Sequence, residues 1–325
     1  MKRIKQLLTY QWVEGGIILS MILITLLLLF TPNRATLAGL SSHAFEAVLL
    51  FLGSAMGFMI LDRPKIMFTC LGMCAILCLY LKKTSNSSIQ SLFRQADIDF
   101  SLCQILINSG ADEYENISRR LLASKADILN IQELTPDWAL VLSDGLSENY
   151  PYRAEMNRVD PYGMVVYSKY PILKTDTLHF RDTMVNYDIP VLKLQLDIEG
   201  RAMNFFSCHV LPRLNTTDFN RVQQFLNAVT DWVEDGDTLP KLVAGDFNLS
   251  PWDFSLQQLI SNTRLQLSQR EPHLFVQPFE HILYSSTIRC NKLEEVRTPG
   301  GLHLGIQGYY TFNPSGEDLG VNKNY

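Results

Sequence analysis

Three long apolar runs open the chain, and nothing later in it looks like them. Gly15–Phe30 (GGIILSMILITLLLLF) carries no charge, Ala44–Leu61 is interrupted only by Glu46, and Ile66–Leu81 is a third, shorter run. A helix rises about 1.5 Å per residue, so about 20 apolar residues cross a hydrocarbon core of ~30 Å. The runs predict three membrane-spanning helices at about 13–30, 44–61 and 66–81, the last needing its flanks or a thinned bilayer. A cleaved signal peptide behind Met-Lys-Arg-Ile-Lys would explain the first run alone. That run is long for a signal core, and two more follow it directly, so three spans are the better reading. Thr84–Asp97 (TSNSSIQSLFRQAD) is polar and Ser-rich and reads as a linker.

From residue 98 to 325 short strand and helix signals interleave. Ser101–Asn108 (SLCQILIN), Ile128–Glu133 (ILNIQE), Gly163–Lys169 (GMVVYSK) and Lys241–Gly245 read as buried strands, and Ile117–Ser124 as a helix. Val191–Ile198 alternates, with Leu192, Leu194, Leu196 and Ile198 on one face. Glu199-Gly200 then turns it into Met203–Val210, a hairpin pattern. Val222, Phe225, Leu226, Val229, Trp232 and Val233 fall at helical spacing, with Thr217 as a candidate cap. Ser250-Pro251-Trp252-Asp253 predicts another helix start, with Ser250 capping and Pro251 in the first turn. His281–Ser286 and His303–Phe312 close the chain as strands. Hairpins mixed with βα units indicate a mixed-sheet α/β or α+β domain.

Composition excludes a disordered chain, with 47% apolar and 19% charged residues. The charge is split. Of the 28 Lys/Arg, eight lie in residues 1–83, against three of the 33 Asp/Glu; the remainder carries 20 basic and 30 acidic residues, a formal −10. An acidic domain is a poor non-specific grip on duplex DNA, which is held through a basic surface. It suits a site that concentrates carboxylates around a divalent cation. Three Lys/Arg precede the first apolar run, Arg34 alone lies in the first loop, and Arg63 and Lys65 lie in the second. This bias places the N-terminus in the cytoplasm and the C-terminal domain outside; Lys82 and Lys83 argue the other way. Cys70, Cys74 and Cys78 share one helix face and read as packing residues. Cys103, Cys208 and Cys290 are an odd three, expected as thiols rather than a disulfide framework.

Five segments carry candidate chemistry. In Val243-Ala244-Gly245-Asp246-Phe247-Asn248 a strand ends at a Gly, and Asp246 and Asn248 stand two apart before a helix. Ala126–Leu134 ends an apolar strand in Glu133, a costly carboxylate unless a cation pairs with it. Phe205–Val210 places His209 after an apolar strand. Phe279-Glu280-His281-Ile282-Leu283 and Gly300-Gly301-Leu302-His303 complete the set. Taken singly each has a plain structural reading: an Asx-turn, a strand-end Glu in water, a core His.

In that order the set resembles the endonuclease/exonuclease/phosphatase superfamily of metal-dependent phosphoesterases, over roughly residues 98–315. The resemblance rests on Asn108, "NIQE" ending at Glu133, "YPYR" at 150–153, "GMVVYSKYPI" at 163–172, His209, "GDFN" and "EHILYSS". The apolar N-terminus is similar to that of bacterial membrane-anchored members. The resemblance implies a four-layer α/β sandwich of two packed mixed sheets, behind a membrane region at 1–83 and a linker at 84–97, in a multi-pass protein of the cell membrane. It implies Mg²⁺, or Mn²⁺, on Glu133 with Asn108 beside it. Asp246 would orient and deprotonate the attacking water, and Asn248 and His209 would hold the phosphate. His303, braced by Glu280, would be a second phosphate-facing histidine or the acid/base. Two departures stand out: Gly301-Leu302-His303 replaces the family's Ser-Asp-His, and Glu280, one methylene longer than the usual Asp, is expected to displace the brace on His303. A membrane-anchored phosphodiesterase or phosphomonoesterase is the leading expectation, and a binding or scaffold protein on the same fold the alternative. The phosphoester substrate is not readable from the residues, and fold analogy does not choose it.

Overall fold

The structure is a computed structural model that describes residues 10–30, 40–84, 98–107, 114–182, 187–210, 212–213, 216–268, 279–298, 301 and 303–313. The chain forms two compact units, one from Met1–Ser87 with Ser250–Gln258 and the other from Ser88–Leu249 with Leu259–Tyr325.

In the first unit, α1 (Gln11–Leu29), α2 (Ala44–Ile60, entered through a 3₁₀ turn at Ser41–His43) and α3 (Pro64–Thr84) form where the apolar runs lie. All three are long and apolar enough to cross a membrane, with mean hydropathies of 2.2, 1.6 and 1.8. Met21, Leu28, Val48, Phe51, Ala55, Ile66, Cys70 and Leu77 pack together between them, while Leu19, Leu50, Met59, Phe68 and Leu79 stay exposed. A helix set that hides one seam and leaves the rest apolar matches a lipid surround better than water. Of the expected linker, residues 85–97 lie outside the described residues.

The second unit is two six-stranded mixed sheets. The first runs β11 (Ile288–Arg297), β12 (His303–Phe312), β1 (Phe100–Leu106), β2 (Ile128–Gln132), β4 (Met164–Ser168), β3 (Tyr152–Met156). The second runs β5 (Ile172–Asp182), β6 (Tyr187–Ile198), β7 (Arg201–Cys208), β8 (Lys241–Asp246), β10 (Glu280–Tyr284), β9 (Gln266–Leu267). β1 and β2 are parallel, as are β7 and β8; every other neighbouring pair is antiparallel. Helices α4 (Tyr114–Ser124), α5 (Pro136–Leu146) and α6 (Thr216–Val233) flank the sheets, and α7 (Phe254–Thr263) follows β8 in the chain.

Strand alternation sorts the side chains. Phe100, Leu102, Ile128, Leu192, Leu194, Leu196, Met203, Phe205 and Leu242 meet between the sheets, while Cys103, Ile105, Leu129 and Ile131 turn outward onto Ile117, Leu121, Trp138 and Leu142 of α4 and α5. The inner layer is graded. On the face that carries Leu102 and Ile128, the next inward positions along β1 and β2 are Gln104, Asn130 and Gln132, all fully buried. The apolar sandwich thus becomes polar toward the ends of β1 and β2. In the β6–β7 hairpin, Glu199 and Gly200 both take positive φ (52° and 86°), as a two-residue turn requires.

The helix expected from Ser250 and Pro251 begins later. Ser250 through Trp252 form a turn, and α7 starts at Phe254 with Asp253 accepting from the Ser255 N–H at 2.9 Å. Asp is as good a cap as Ser, and here it sits next to the first apolar turn of the helix. All six cysteines are free, with Cys103 and Cys208 buried.

Candidate active site

Three strands that run toward the polar end of the sandwich, β2, β7 and β8, each deliver a candidate residue at or just past the end of the ladder. Beyond β2, Glu133 takes a left-handed backbone (φ 58°) and is half-buried, and burial raises its carboxyl above the ordinary value. Beyond β7, His209 is buried, edge-on to the Tyr162 ring at 5.8 Å between centroids. Neither of its ring nitrogens has a hydrogen-bond partner among the described residues. Nε2 lies 3.5 Å from Glu133 Oε1, too long for a good hydrogen bond, and burial pushes the imidazole down to about 4. A fully buried, unpaired histidine is expensive unless something else completes it.

Asp246 ends β8. Asn248, itself left-handed (φ 50°), donates its backbone N–H to Oδ1 at 2.9 Å and its Nδ2 to Oδ2 at 3.1 Å. A second Nδ2 bond reaches the Val210 carbonyl at 2.7 Å. Both amide hydrogens of Asn248 are therefore used, and a phosphate contact from this side chain requires exchange of its bond to Asp246. Burial pushes the Asp246 carboxyl up to about 6; the Asn248 donors pull it back, and the neighbouring Glu280 and Glu133 charges add to the rise.

Glu280 opens β10 directly opposite Asp246 in the antiparallel register. Its Oε2 lies 2.7 Å from His303 Nε2, so the extra methylene does not displace the contact expected to be lost. His303 begins β12 of the other sheet, so this pair joins the two sheets. Glu295, which no sequence signal singled out, stands 3.9 Å from His303 Nδ1 and is ion-paired with Arg297. His281, in the same motif, serves structure instead: buried, its Nε2–H donates to the Leu249 carbonyl at 2.7 Å. Asn108 and Leu302 lie outside the described residues.

The sequence reading also missed the amides beneath these groups. Gln132 Oε1 accepts from the Asp246 backbone N–H at 2.9 Å and from Gln104 Nε2 at 3.1 Å, and its Nε2 donates to Ser207 Oγ and the Cys208 carbonyl, each at 3.0 Å. Asn130 Nδ2 in turn donates to Gln104 Oε1. The only available signal was polar residues at inward positions of apolar strands, which alternation alone assigns to a wet face.

Among the described residues, no group of three or more His, Cys, Asp or Glu stands at metal-binding spacing. The donor chemistry nonetheless fits a hard divalent cation. Glu133, Asp246 and Glu280 are close enough to raise one carboxyl through the others' charge, and such a cation takes carboxylate oxygen while keeping several waters.

A profile of the Endonuclease/Exonuclease/phosphatase family matches residues 103–316. No curated protein matches the sequence. Among solved structures, an endonuclease/exonuclease/phosphatase from Bacteroides vulgatus superposes with a TM-score of 0.56 at 14% identity, over 66% of this chain and 99% of that one. A mannosyl-6-phosphatase from Bacteroides thetaiotaomicron gives 0.53 at 14%, over 66% and 100%. The human Nocturnin catalytic domain with bound sulfate gives 0.53 at 16%, over 66% and 94%. At such identities the superpositions speak for the fold, while the profile spans most of the chain: the protein belongs to the Endonuclease/Exonuclease/phosphatase family.

Proposed function

We propose that the protein is a membrane-anchored hydrolase of phosphate esters that depends on Mg²⁺ or Mn²⁺, with its catalytic domain on the outer side of the membrane. The observation that carries the reading is the pairing, at one end of the sandwich, of a buried carboxyl held near neutrality with a buried histidine whose nitrogens are unpaired. Such groups are tuned for proton handling and for a ligand not made by the chain itself. Glu133 is the residue to hold the cation, beside Asn108 in sequence-based expectation. When bound, the cation would polarise the phosphoryl group and stabilise the leaving oxygen. Asp246 takes the proton of the attacking water, and Asn248 fixes the carboxylate that does so. His209 meets a phosphoryl oxygen from a dry position. Its low proton affinity means that it does so as a neutral donor, through one N–H. His303, partly exposed and held by Glu280, would protonate the leaving oxygen.

The test uses the full chain in detergent with bis-p-nitrophenyl phosphate and p-nitrophenyl phosphate. Turnover that disappears with chelator and returns with Mg²⁺ supports the reading, and the ratio of the two rates separates diester from monoester preference. Glu133→Gln and Asp246→Asn should each lower kcat more than tenfold, a loss above about 1.4 kcal/mol of transition-state stabilisation, with the fold intact by circular dichroism. A wild type with no metal-dependent turnover on either ester, or variants that retain it, overturns the assignment.

A further inference from the structure

We propose that Gln132 is the positioning residue of this site: one buried amide that sets the spacing of Glu133, His209 and Asp246. The inference rests on the catalytic reading above and extends it to a residue that touches no substrate. Gln132 immediately precedes Glu133 in the chain. Its Oε1 takes the backbone N–H of Asp246, and its Nε2 donates to the carbonyl of Cys208, the residue before His209. The three strands that deliver the three groups are thus joined through a single side chain, across two different sheets.

The orientation of that amide is fixed by chemistry. A backbone N–H can only donate and a carbonyl can only accept, so the oxygen must face Asp246 and the nitrogen Cys208. The remaining capacity is filled by Gln104 on the oxygen and Ser207 on the nitrogen, which completes two accepted and two donated bonds. Gln104 is held in its turn by Asn130, and all three amides are fully buried. Gly245 is part of the same arrangement. A Cβ there would stand 1.7 Å from the Cys208 carbonyl oxygen and 2.8 Å from Gln132 Nε2, so β7 and β8 approach closely enough for one amide to reach both. An amide with all four of its bonds made, as Gln132 has, holds backbone positions more tightly than apolar packing, because each bond has a direction.

Gln132→Met keeps the side chain's length and removes all four bonds. In the detergent-solubilised full chain, it should lower kcat at least tenfold with KM changed less than threefold, at a temperature well below melting. It should also weaken Mn²⁺ binding, read by water-proton relaxation, several-fold, because Glu133 shifts with the strand end. Leu194→Ala, in the apolar part of the same layer, is the control for lost stability, and it should cost melting temperature without changing kcat or Mn²⁺ binding. If both variants lose activity only in proportion to their melting temperatures, Gln132 is an ordinary core residue and the inference fails. Should Gln132→Met not fold, Gln132→Glu retains the acceptor for Asp246 and loses a donor to Cys208; full kcat in that variant overturns the inference. A wild type that neither turns over nor binds Mn²⁺ removes the catalytic reading, and the positioning role with it.

Discussion

Glu133 and Asn248 take left-handed backbone conformations, φ 58° and 50°, at the ends of two strands in different sheets. Asn tolerates that region because its side chain bonds locally, as here to Asp246; Glu has no such relief, and the cost is of order 1 kcal/mol. A strained carboxylate kept beside a buried histidine indicates that the fold specifies its direction. Ionisation at these residues gives a test without any substrate. The folded chain holds the Asp246 proton up to a pH of about 6, above the unfolded value of about 3.9, so stability falls as pH rises between those limits. His209 works in the opposite sense. Its folded value is about 4 against about 6.5 unfolded, so the unfolded chain binds the extra proton and stability rises over the same interval. Each contribution is about 3 kcal/mol and the two nearly cancel. In urea melts with chelator, His209→Phe should therefore add a fall in stability from pH 4 to 6 relative to wild type, and Asp246→Asn should add a rise. Parallel curves for all three proteins would refute the burial of these charges.

Among the elements, the close approach at the ends of the parallel neighbours β7 and β8 makes the sharpest demand. Gly245→Ala would drive a methyl group into the Cys208 carbonyl, which is backbone and cannot rotate away, and should cost more than about 3 kcal/mol. Gly200→Asn, at a positive-φ turn position with open space around it, should cost under about 1 kcal/mol. Equal melts for the two variants would show that Gly245 is not packed as described. The same contrast explains what the sequence reveals. β6 and β7 are plain in it because their apolar residues alternate against a core, and β8 because Leu242, Val243 and Ala244 form an apolar run. The outer strands β5 and β11 escape the pattern. In β11 the sequence Arg289-Cys290-Asn291-Lys292 reads as loop, and a register shift between Cys290 and Lys292 breaks the alternation further. The site residues are legible where a polar group ends an apolar strand, as at Glu133, His209 and Asp246. Gln104, Asn130 and Gln132 are not, because an amide bonded to other groups of the chain has the same local sequence pattern as an amide in water.

For the molecule as a whole, the asymmetry of charge around α1, α2 and α3 predicts an exported domain. Fusions of reporter domains after Ser85 should be active with an export-dependent reporter and silent with one that works only in the cytoplasm; the reverse result places the domain inside. The −10 charge of residues 84–325 carries a further expectation, that the protein shows little salt-sensitive retention by duplex DNA at neutral pH, which a gel-shift titration checks.

The graded layer between the sheets has a mechanical consequence. In its apolar portion the sheets meet through ring contacts such as that of Tyr284 with Tyr310, which resist sliding little. Amide hydrogen bonds do resist it: a small shear of one sheet over the other stretches the bonds of Gln132 to Asp246, Ser207 and Cys208 at once. The two sheets therefore behave like leaves pinned along one margin. A change of substrate among relatives built this way would come through the loops above that margin, because the floor of the candidate site has no slack to give.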